Sequence, residues 1–148
     1  MPSIHLSLHY HLIFSMKERI AYIHKDWRDR LHSYMGGILN DLKAVPETSG
    51  GVADHVHLLV GLRATHCLAD VLRELKSASS KWVHEEMKKP LFSWQDGYGA
   101  FTVSASQIKA VKEYIANQEE HHRKQTFQEE YSKFLDQSEI EYDERYLW

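Results

Sequence analysis

The first hydrophobic pattern along the chain has a period of two residues. Residues 4–14 carry apolar side chains at every second position from Ile4 to Leu12, with histidine or serine between them. Because successive side chains of a strand point to opposite faces, this alternation predicts a first strand with one apolar and one polar face. The histidines of the polar face could line the sheet near a functional site, although a solvated or hydrogen-bonded role is the simpler interpretation. They are His5, His9 and His11.

Two further segments have the pattern of strands. Residues 45–62 pass from Val45 through two consecutive glycines into an apolar run, which predicts a hairpin that ends in a long, largely buried strand. Residues 101–103, Phe-Thr-Val, follow a glycine-rich turn and predict one more short strand.

Helical periodicity, with apolar residues at steps of three and four, marks four segments. Gly36 and Gly37 weaken the middle of the first segment, and Pro90 stops the second. Ser104 or Ser106 can cap the third. The predicted helices span residues 26–44, residues 68–87, the stretch from the capping serine to about residue 122, and residues 127–135.

The order of these elements predicts the fold. Strand, helix, strand, strand, helix, strand, helix is the order of a split β-α-β sandwich of the ferredoxin or RRM kind. We therefore predict an α+β fold in which helices cover one face of an antiparallel sheet, with a C-terminal helix that bears Tyr114. Residues 1–135 are predicted to form a single domain, followed by an acidic tail over residues 136–148.

Composition narrows the class of protein. A chain of 148 residues can bury one sizeable core. A single cysteine, Cys67, excludes an intrachain disulfide framework and a cysteine-rich zinc module. No apolar run approaches the roughly 20 residues of a membrane span, and the first residues lack the basic region of a signal peptide. We therefore expect a cytoplasmic protein with no membrane partner.

The net charge at first argues against a nucleic-acid partner. The chain has 18 Lys and Arg against 21 Asp and Glu, a net charge of −3, and basic surfaces supply most of the non-specific affinity for phosphates. However, residues 119–148 alone contain 4 Lys and Arg and 9 Asp and Glu. The rest of the chain is mildly basic, so the charge does not exclude nucleic acid.

Two histidines on the long predicted strand are the first candidate site. His55 and His57 are two residues apart, so a strand presents both imidazoles on one face, while Val56 and Leu58 point to the other. The pair could hold a metal ion or could be hydrogen-bonded structural histidines, and the spacing alone does not separate the two.

The third predicted helix carries a second candidate site. Tyr114 and Gln118 are four residues apart and share one helical face, beside a more apolar face with Val111 and Ile115. On this spacing alone, Tyr114 is expected to pack its ring on the core with its hydroxyl in water.

These residues stand within longer motifs. Residues 53–60, Ala-Asp-His-Val-His-Leu-Leu-Val, and residues 114–118, Tyr-Ile-Ala-Asn-Gln, resemble motifs of the single-tyrosine HUH transposases, the IS200-like family of insertion-sequence enzymes. The resemblance extends in order over residues 5–130. Its other blocks are residues 10–14 with Lys17 and Arg19, residues 75–81, and residues 94–101.

The resemblance implies a transposase that cleaves and rejoins single-stranded DNA. His55, His57 and Gln118 would hold a divalent metal ion, Mg²⁺ or Mn²⁺. Tyr114 would attack a phosphodiester and leave a 5′-phosphotyrosine and a free 3′-hydroxyl.

The group that takes the tyrosine proton is left open. His121 and His122 are candidates, although surface positions are expected for both, and a tyrosine pKa lowered by the metal is an alternative.

The resemblance also implies partners: DNA hairpins that mark the ends of the element, and a second copy of the chain in a homodimer whose sheets join. When bound to DNA, the protein would associate with the nucleoid.

Six polar or basic residues are predicted to bind DNA, and an ordinary solvated helix face is their alternative role. These are Arg73, Lys76, Ser77, Ser80, Lys81 and Lys112. Trp94, Tyr98 and Phe101 could stack on unpaired bases, with a core position favoured for Trp94 and Phe101.

Three alternatives to a transposase are also consistent with these residues. One is a nuclease of the same chemistry that serves its host. Another is a module that holds DNA hairpins without cutting them. The third, a zinc hydrolase built on His55 and His57, is disfavoured because no third ligand and no carboxylate base stand at a familiar spacing.

Overall fold

The computed structural model describes residues 3–143 and residue 145. The strands are β1 (His9–Ser15), β2 (Val45–Gly51), β3 (His55–Gly61) and β4 (Gly99–Val103). The helices are α1 (Lys25–Asp41), α2 (Leu68–Glu86), α3 (Ile108–Ala116), α4 (Gln118–His121) and α5 (Phe127–Gln137). Short 3₁₀ helices occupy Lys17–Arg19 and Ala105–Gln107.

The four strands form one antiparallel sheet in the order β2-β3-β1-β4. The two central strands, β1 and β3, are the ones that the alternating and the apolar patterns predicted. In the register, Leu12 of β1 lies opposite Leu58 of β3 and Ala100 of β4. The predicted α+β fold with an antiparallel sheet is confirmed.

The first strand is shorter than its alternating pattern predicted. It begins at His9, and the preceding Ile4 and Leu6 are 74% and 54% exposed. Both neighbouring strands end their pairing with β1 at His9, which lies opposite Gly61 and Val103. Apart from the hydrogen bond from Leu62 N to Leu8 O, the described residues before His9 have no paired strand beside them, whatever their alternation.

Helices cover both faces of the sheet, whereas the sequence analysis expected one covered face. Helices α1 and α2 pack on the face that carries Leu12, Phe14 and Val56, which is the main core. Helices α3 and α5 pack on the opposite face over Leu59 and Ile13, which are fully buried. These two apolar residues on the histidine-bearing face explain why that face is also covered.

The third helix is interrupted where the sequence predicted a continuous one. Helix α3 ends at Ala116, Asn117 has φ −102° and ψ 26°, and α4 begins at Gln118. The segment then turns toward α5, where the Thr126 side chain accepts a hydrogen bond from Glu129 N and caps the helix. Tyr114 and Gln118 consequently lie on two separate helices.

Two glycine positions give a matched test of the packing between α3 and the sheet. A Cβ at Gly50 would clash with the carbonyl oxygen of Ile115, whereas a Cβ at Gly37 in α1 meets nothing within 4 Å. We expect Gly50→Ala to lower the free energy of unfolding by about 1–3 kcal/mol through overpacking. Gly37→Ala should raise it by about 0.5–1 kcal/mol, because alanine favours a helix interior.

Urea denaturation of the two variants measures both effects. Equal or inverted effects would contradict the close approach of α3 to β2 at Gly50.

Among the described residues, no helix combines the length and the apolar composition needed to cross a membrane.

Candidate catalytic and metal-binding site

Strand β3 presents His55 and His57 on one face of the sheet, as their spacing predicted. Both side chains are fully buried, and the intervening Val56 points into the main core on the other face. Burial lowers the pKa of His57 to about 4, so its imidazole is neutral near pH 7, the form in which histidine binds metals.

The Nδ1 atoms of both histidines are held by neighbouring side chains. His55 Nδ1 lies 2.7 Å from Asp54 Oδ1, and His57 Nδ1 forms a hydrogen bond of 2.8 Å with His11 Nε2. His11, on β1, is itself buried, and this burial lowers its pKa to about 3. With each Nδ1 atom engaged, the Nε2 atoms are oriented toward the helices above the sheet.

Helix α5 contributes a buried carboxylate that the sequence analysis did not predict. Glu130 is only 1% exposed, and its Oε1 lies 3.0 Å from His57 Nε2 and 3.6 Å from His55 Nε2. Burial alone would raise the pKa of this carboxyl, but hydrogen bonds from His122 and His57 hold it well below its usual range. Glu130 is therefore ionised in the folded protein.

Helix α4 and the turn after it add two polar side chains. Gln118 is buried, and its Oε1 lies 3.3 Å from His55 Nε2 and 3.1 Å from His122 Nε2. His122, for which a surface position was expected, is 11% exposed and lies 3.3 Å from Glu130 Oε1. Burial lowers the pKa of His122, but its hydrogen bond to Glu130 gives a net increase.

The resulting group of side chains suits a divalent metal ion. His55, His57, His122 and Glu130 each offer one ligand atom, and these atoms all lie within 4.8 Å of one another. Gln118 Oε1 borders the same group. A mixed set of imidazole nitrogens and carboxylate or amide oxygens fits borderline divalent metals such as Mn²⁺. The structure therefore supports the prediction of a divalent metal site without identifying the metal.

Tyr114 reaches this group from α3. Its hydroxyl donates a hydrogen bond to Oε2 of Glu130, and the His121 ring stacks on the tyrosine ring at 4.5 Å. Burial raises the pKa of Tyr114, and the neighbouring Glu130 carboxylate raises it further. The phenol is therefore protonated, and its hydroxyl is held by the hydrogen bond to the Glu130 carboxylate.

Four of the five predicted DNA-binding residues of α2 lie at a separate groove of about 390 Å³. It is lined by Arg73, Lys76, Ser77 and Ser80 of α2 together with Gln95, Asp96 and Tyr98 from the loop before β4. The other two predicted contacts, Lys81 and Lys112, are exposed but do not line this groove, and Lys112 lies on α3, across the sheet.

Lys76 has a structural contact that its charge did not predict. Its ammonium donates to the carbonyl oxygens of Gln95, Asp96 and Gly97 at 2.6, 3.2 and 2.9 Å. Since an ammonium has three N–H donors, a phosphate could bind Lys76 only by displacing one of these carbonyl groups.

Among the aromatic candidates, Trp94 is buried in the main core, as predicted, and Phe101 is half-buried against α5. Tyr98, 38% exposed, lines the groove, and the buried Trp94 also borders it.

Comparison with known proteins identifies the family. The sequence pattern described as "Transposase IS200 like" matches residues 5–118, more than half of the chain. The chain belongs to the IS200-like transposase family. It is 29% identical over 119 residues to the ISDra2 transposase TnpA of Deinococcus radiodurans, an alignment that covers 75% of this chain and 84% of the relative.

Two solved structures share the fold of this IS200-like transposase. A Deinococcus radiodurans R1 protein, described as a transposase and solved at 1.90 Å, superposes with a TM-score of 0.63 and 26% identity, covering 80% of this chain and 96% of that one. The REP-associated tyrosine transposase, solved bound to a REP hairpin, superposes with a TM-score of 0.56 and 11% identity, covering 78% and 70%.

Neither His122 nor Glu130 was predicted as a metal ligand, although the resemblance extends to residue 130. The family match itself ends at residue 118, before both residues. One signal in the sequence could have identified Glu130, because it stands on the apolar stripe of α5 formed by Phe127, Tyr131 and Leu135. A carboxylate on the buried face of a helix needs a charged or hydrogen-bonding partner.

Proposed function

We propose that this transposase cuts and rejoins single-stranded DNA at hairpin-marked element ends through a covalent bond between the strand and Tyr114. The contact between the Tyr114 hydroxyl and Glu130 carries this proposal. Glu130 is also one of the four side chains that could hold a metal ion. A potential nucleophile and a metal site therefore meet at one carboxylate.

The proposed metal site combines the ligands that the resemblance implies with two side chains that the fold brings next to them. His55, His57 and Gln118 are the ligands that the resemblance implies, and Glu130 and His122 adjoin them in the fold. A bound Mg²⁺ or Mn²⁺ would polarise the scissile phosphate and neutralise the charge that develops on it. The imidazole donors favour Mn²⁺ over Mg²⁺.

The chain's own residues supply the nucleophile and orient its hydroxyl. The Tyr114 oxygen forms a bond to phosphorus while the bond from phosphorus to the 3′ oxygen breaks. Glu130 Oε2 orients the hydroxyl by accepting its hydrogen bond, the phenolic proton passes to water as the bond to phosphorus forms, and the leaving 3′ oxygen takes a proton from water. The products are a 5′-phosphotyrosine and a 3′-hydroxyl, and the reverse reaction joins a new 3′ end.

The arrangement supports catalysis within one chain. Tyr114, the two histidines and Glu130 meet without a second copy, which favours use of the tyrosine in cis. The predicted homodimer stays a prediction.

The groove between α2 and the loop before β4 is the proposed hairpin-binding surface. It combines hydroxyl groups, the Arg73 guanidinium and the exposed ring of Tyr98, which suit a sugar-phosphate backbone and an unpaired base. The REP-associated tyrosine transposase, which shares this fold, was solved with a REP hairpin.

A covalent adduct tests the proposed function. Wild-type protein is incubated with Mn²⁺ and single-stranded DNA that carries the sequence flanking its gene, and the products are separated on a denaturing gel. We expect a protein–DNA species that EDTA prevents, with the DNA attached to the tryptic peptide of residues 113–123. Attachment to another peptide would reassign the nucleophile, and tight binding without any adduct would favour a hairpin-binding module that does not cut.

Arg73 gives a test of the groove. Arg73 lines it and is 65% exposed at its side chain, although Asp70 and Glu74 lie at 2.9 and 3.8 Å. If Arg73 contacts a phosphate, Arg73→Ala should weaken hairpin binding and lower the slope of log affinity against log salt by about 1. Lys43→Ala removes an exposed cation outside the groove and should leave the slope unchanged. Identical slopes for the two variants would exclude Arg73 from the phosphate contacts.

A further inference from the structure

A second cavity of about 390 Å³ adjoins the proposed catalytic site, bounded by α1, the end of β2 and the break between α3 and α4. Side chains of Arg28 and His32 from α1 face Asn117 and Gln118 across it, beside the backbone of Gly50. None of the roles proposed above uses this space.

Gln118 forms the wall that the cavity shares with the metal-ligand group. It lines the cavity, and its Oε1 also contacts His55 Nε2 and His122 Nε2. A strand whose scissile phosphate reaches Tyr114 would therefore bring a neighbouring nucleotide to the mouth of this cavity.

His32 is the second observation that points to a ligand. Its side chain is about nine-tenths buried, and its Nε2 has no hydrogen-bond partner among the described residues. Burial lowers the pKa of His32 to about 4, so the ring is neutral and can donate from one nitrogen and accept at the other. This nitrogen is closed to solvent, so a ligand in the cavity reaches it only if the His32 ring turns; a bond formed there would remove the cost of leaving a buried polar atom without a partner.

The charge of the lining disfavours a phosphate. Arg28 already donates to Ile23 O and Glu119, and Arg123 is paired with Glu120. Three carboxylates, those of Asp29, Glu119 and Glu120, stand against these two guanidinium groups. A neutral planar group with donors and acceptors on its edge matches such a lining better than an anion does.

We infer that this cavity binds one unpaired nucleobase of the DNA strand, next to the scissile phosphate. The inference rests on the proposed function. The edge of the base would bond to His32 and to the amide side chain of Asn117, and its face would lie against the Arg28 guanidinium. The cavity would thereby select the base that neighbours the cut.

The first test removes bases from the DNA one at a time. Strands with a single abasic residue, scanned across the nucleotides around the cleavage position, are bound to protein that carries Tyr114→Phe so that no strand is cut. We expect one position at which loss of the base weakens binding about tenfold. His32→Leu in the same protein should weaken binding of the intact strand by a similar factor and be insensitive to the abasic residue at that position.

Two controls accompany the scan. His24→Leu changes an exposed histidine outside the cavity lining and should keep the abasic profile of the parent protein. His32→Leu removes the unpaired buried nitrogen and should raise the melting temperature of the protein. Such a rise would show that the weaker DNA binding of this variant is not caused by unfolding.

A crosslink locates the base without any change to the cavity. A strand with 5-iodouracil at the sensitive position, irradiated in the complex, should attach to the tryptic peptide of residues 31–43, which contains His32. A profile without a sensitive position, the same profile for parent and His32→Leu, or attachment to a peptide from another part of the protein would overturn the inference. Wild-type adduct formation on the same strands separates this failure from failure of the proposed function, which predicts the adduct whether or not the cavity holds a base.

Discussion

Tyr114→Phe is expected to abolish covalent attachment to DNA, with a loss of strand cleavage greater than about a thousandfold. The substitution removes the only oxygen through which this side chain could bond to phosphorus, and no residual route through the same ring exists. Cleavage is measured on the denaturing gel that detects the adduct of the wild-type protein. Hairpin affinity, measured in parallel, should change by less than about threefold, because the groove on α2 lies on the other side of the sheet.

The same substitution should leave the fold intact. Glu130 loses the hydrogen bond from the tyrosine but keeps His57 at 3.0 Å and His122 at 3.3 Å, so the carboxylate stays paired. Tyr131→Phe is the matched control, since Tyr131 is a buried tyrosine of α5 that packs with Phe127 outside the metal-ligand group. Adduct formation by Tyr114→Phe, or its loss in Tyr131→Phe, would contradict the assignment of the nucleophile.

The parts of the fold that were predicted depend on local periodicity. The alternation around Leu12 and the pair His55 and His57 each determine which side chains share a face, and the structure keeps both. The predicted N-terminal end of β1 was wrong, because a strand extends only as far as its neighbouring strands pair with it. This information lies in β3 and β4 and not in the residues before His9.

Only the site residues that lie within the sequence motifs were predicted as metal ligands or nucleophile. Gln118 is near His55 as expected, but the break at Asn117 moves it onto a separate helix, and no propensity in the segment indicated that break. His122 and Glu130 join the site through the packing of α5 on the second face of the sheet. A tertiary contact of this kind, between segments far apart in the chain, leaves a weak signal in one sequence.

The contacts of Lys76 show what the sequence could not predict. The resemblance implied that Lys76 contacts DNA, which stays a prediction, and the structure adds that its ammonium bonds three carbonyl groups of the loop before β4 and is half-buried. Burial lowers its pKa, although Asp96 opposes that shift. Its neighbour Arg73 keeps an exposed guanidinium in the groove, so two cations of one helix face have different surroundings.

A graded series of histidine variants should show the metal site directly. His57→Ala is expected to lower Mn²⁺ affinity more than about a hundredfold and to abolish cleavage, because it removes a nitrogen at the centre of the ligand group. His11→Ala removes only the partner of His57 Nδ1 and should lower the affinity about 10- to 100-fold. His9→Ala is the control, since His9 shares that face of β1 but pairs with Glu47 at 3.0 Å.

Electron paramagnetic resonance of free Mn²⁺ measures the affinities independently of activity. His57→Ala also leaves a void and deprives Glu130 of one partner, so we expect the free energy of unfolding to fall by about 2–4 kcal/mol. Retained hairpin binding would show that the variant is folded at the assay temperature. Equal Mn²⁺ affinities across the three variants would place the metal elsewhere, whereas the expected order would show that β3 holds the metal and that β1 orients its ligand.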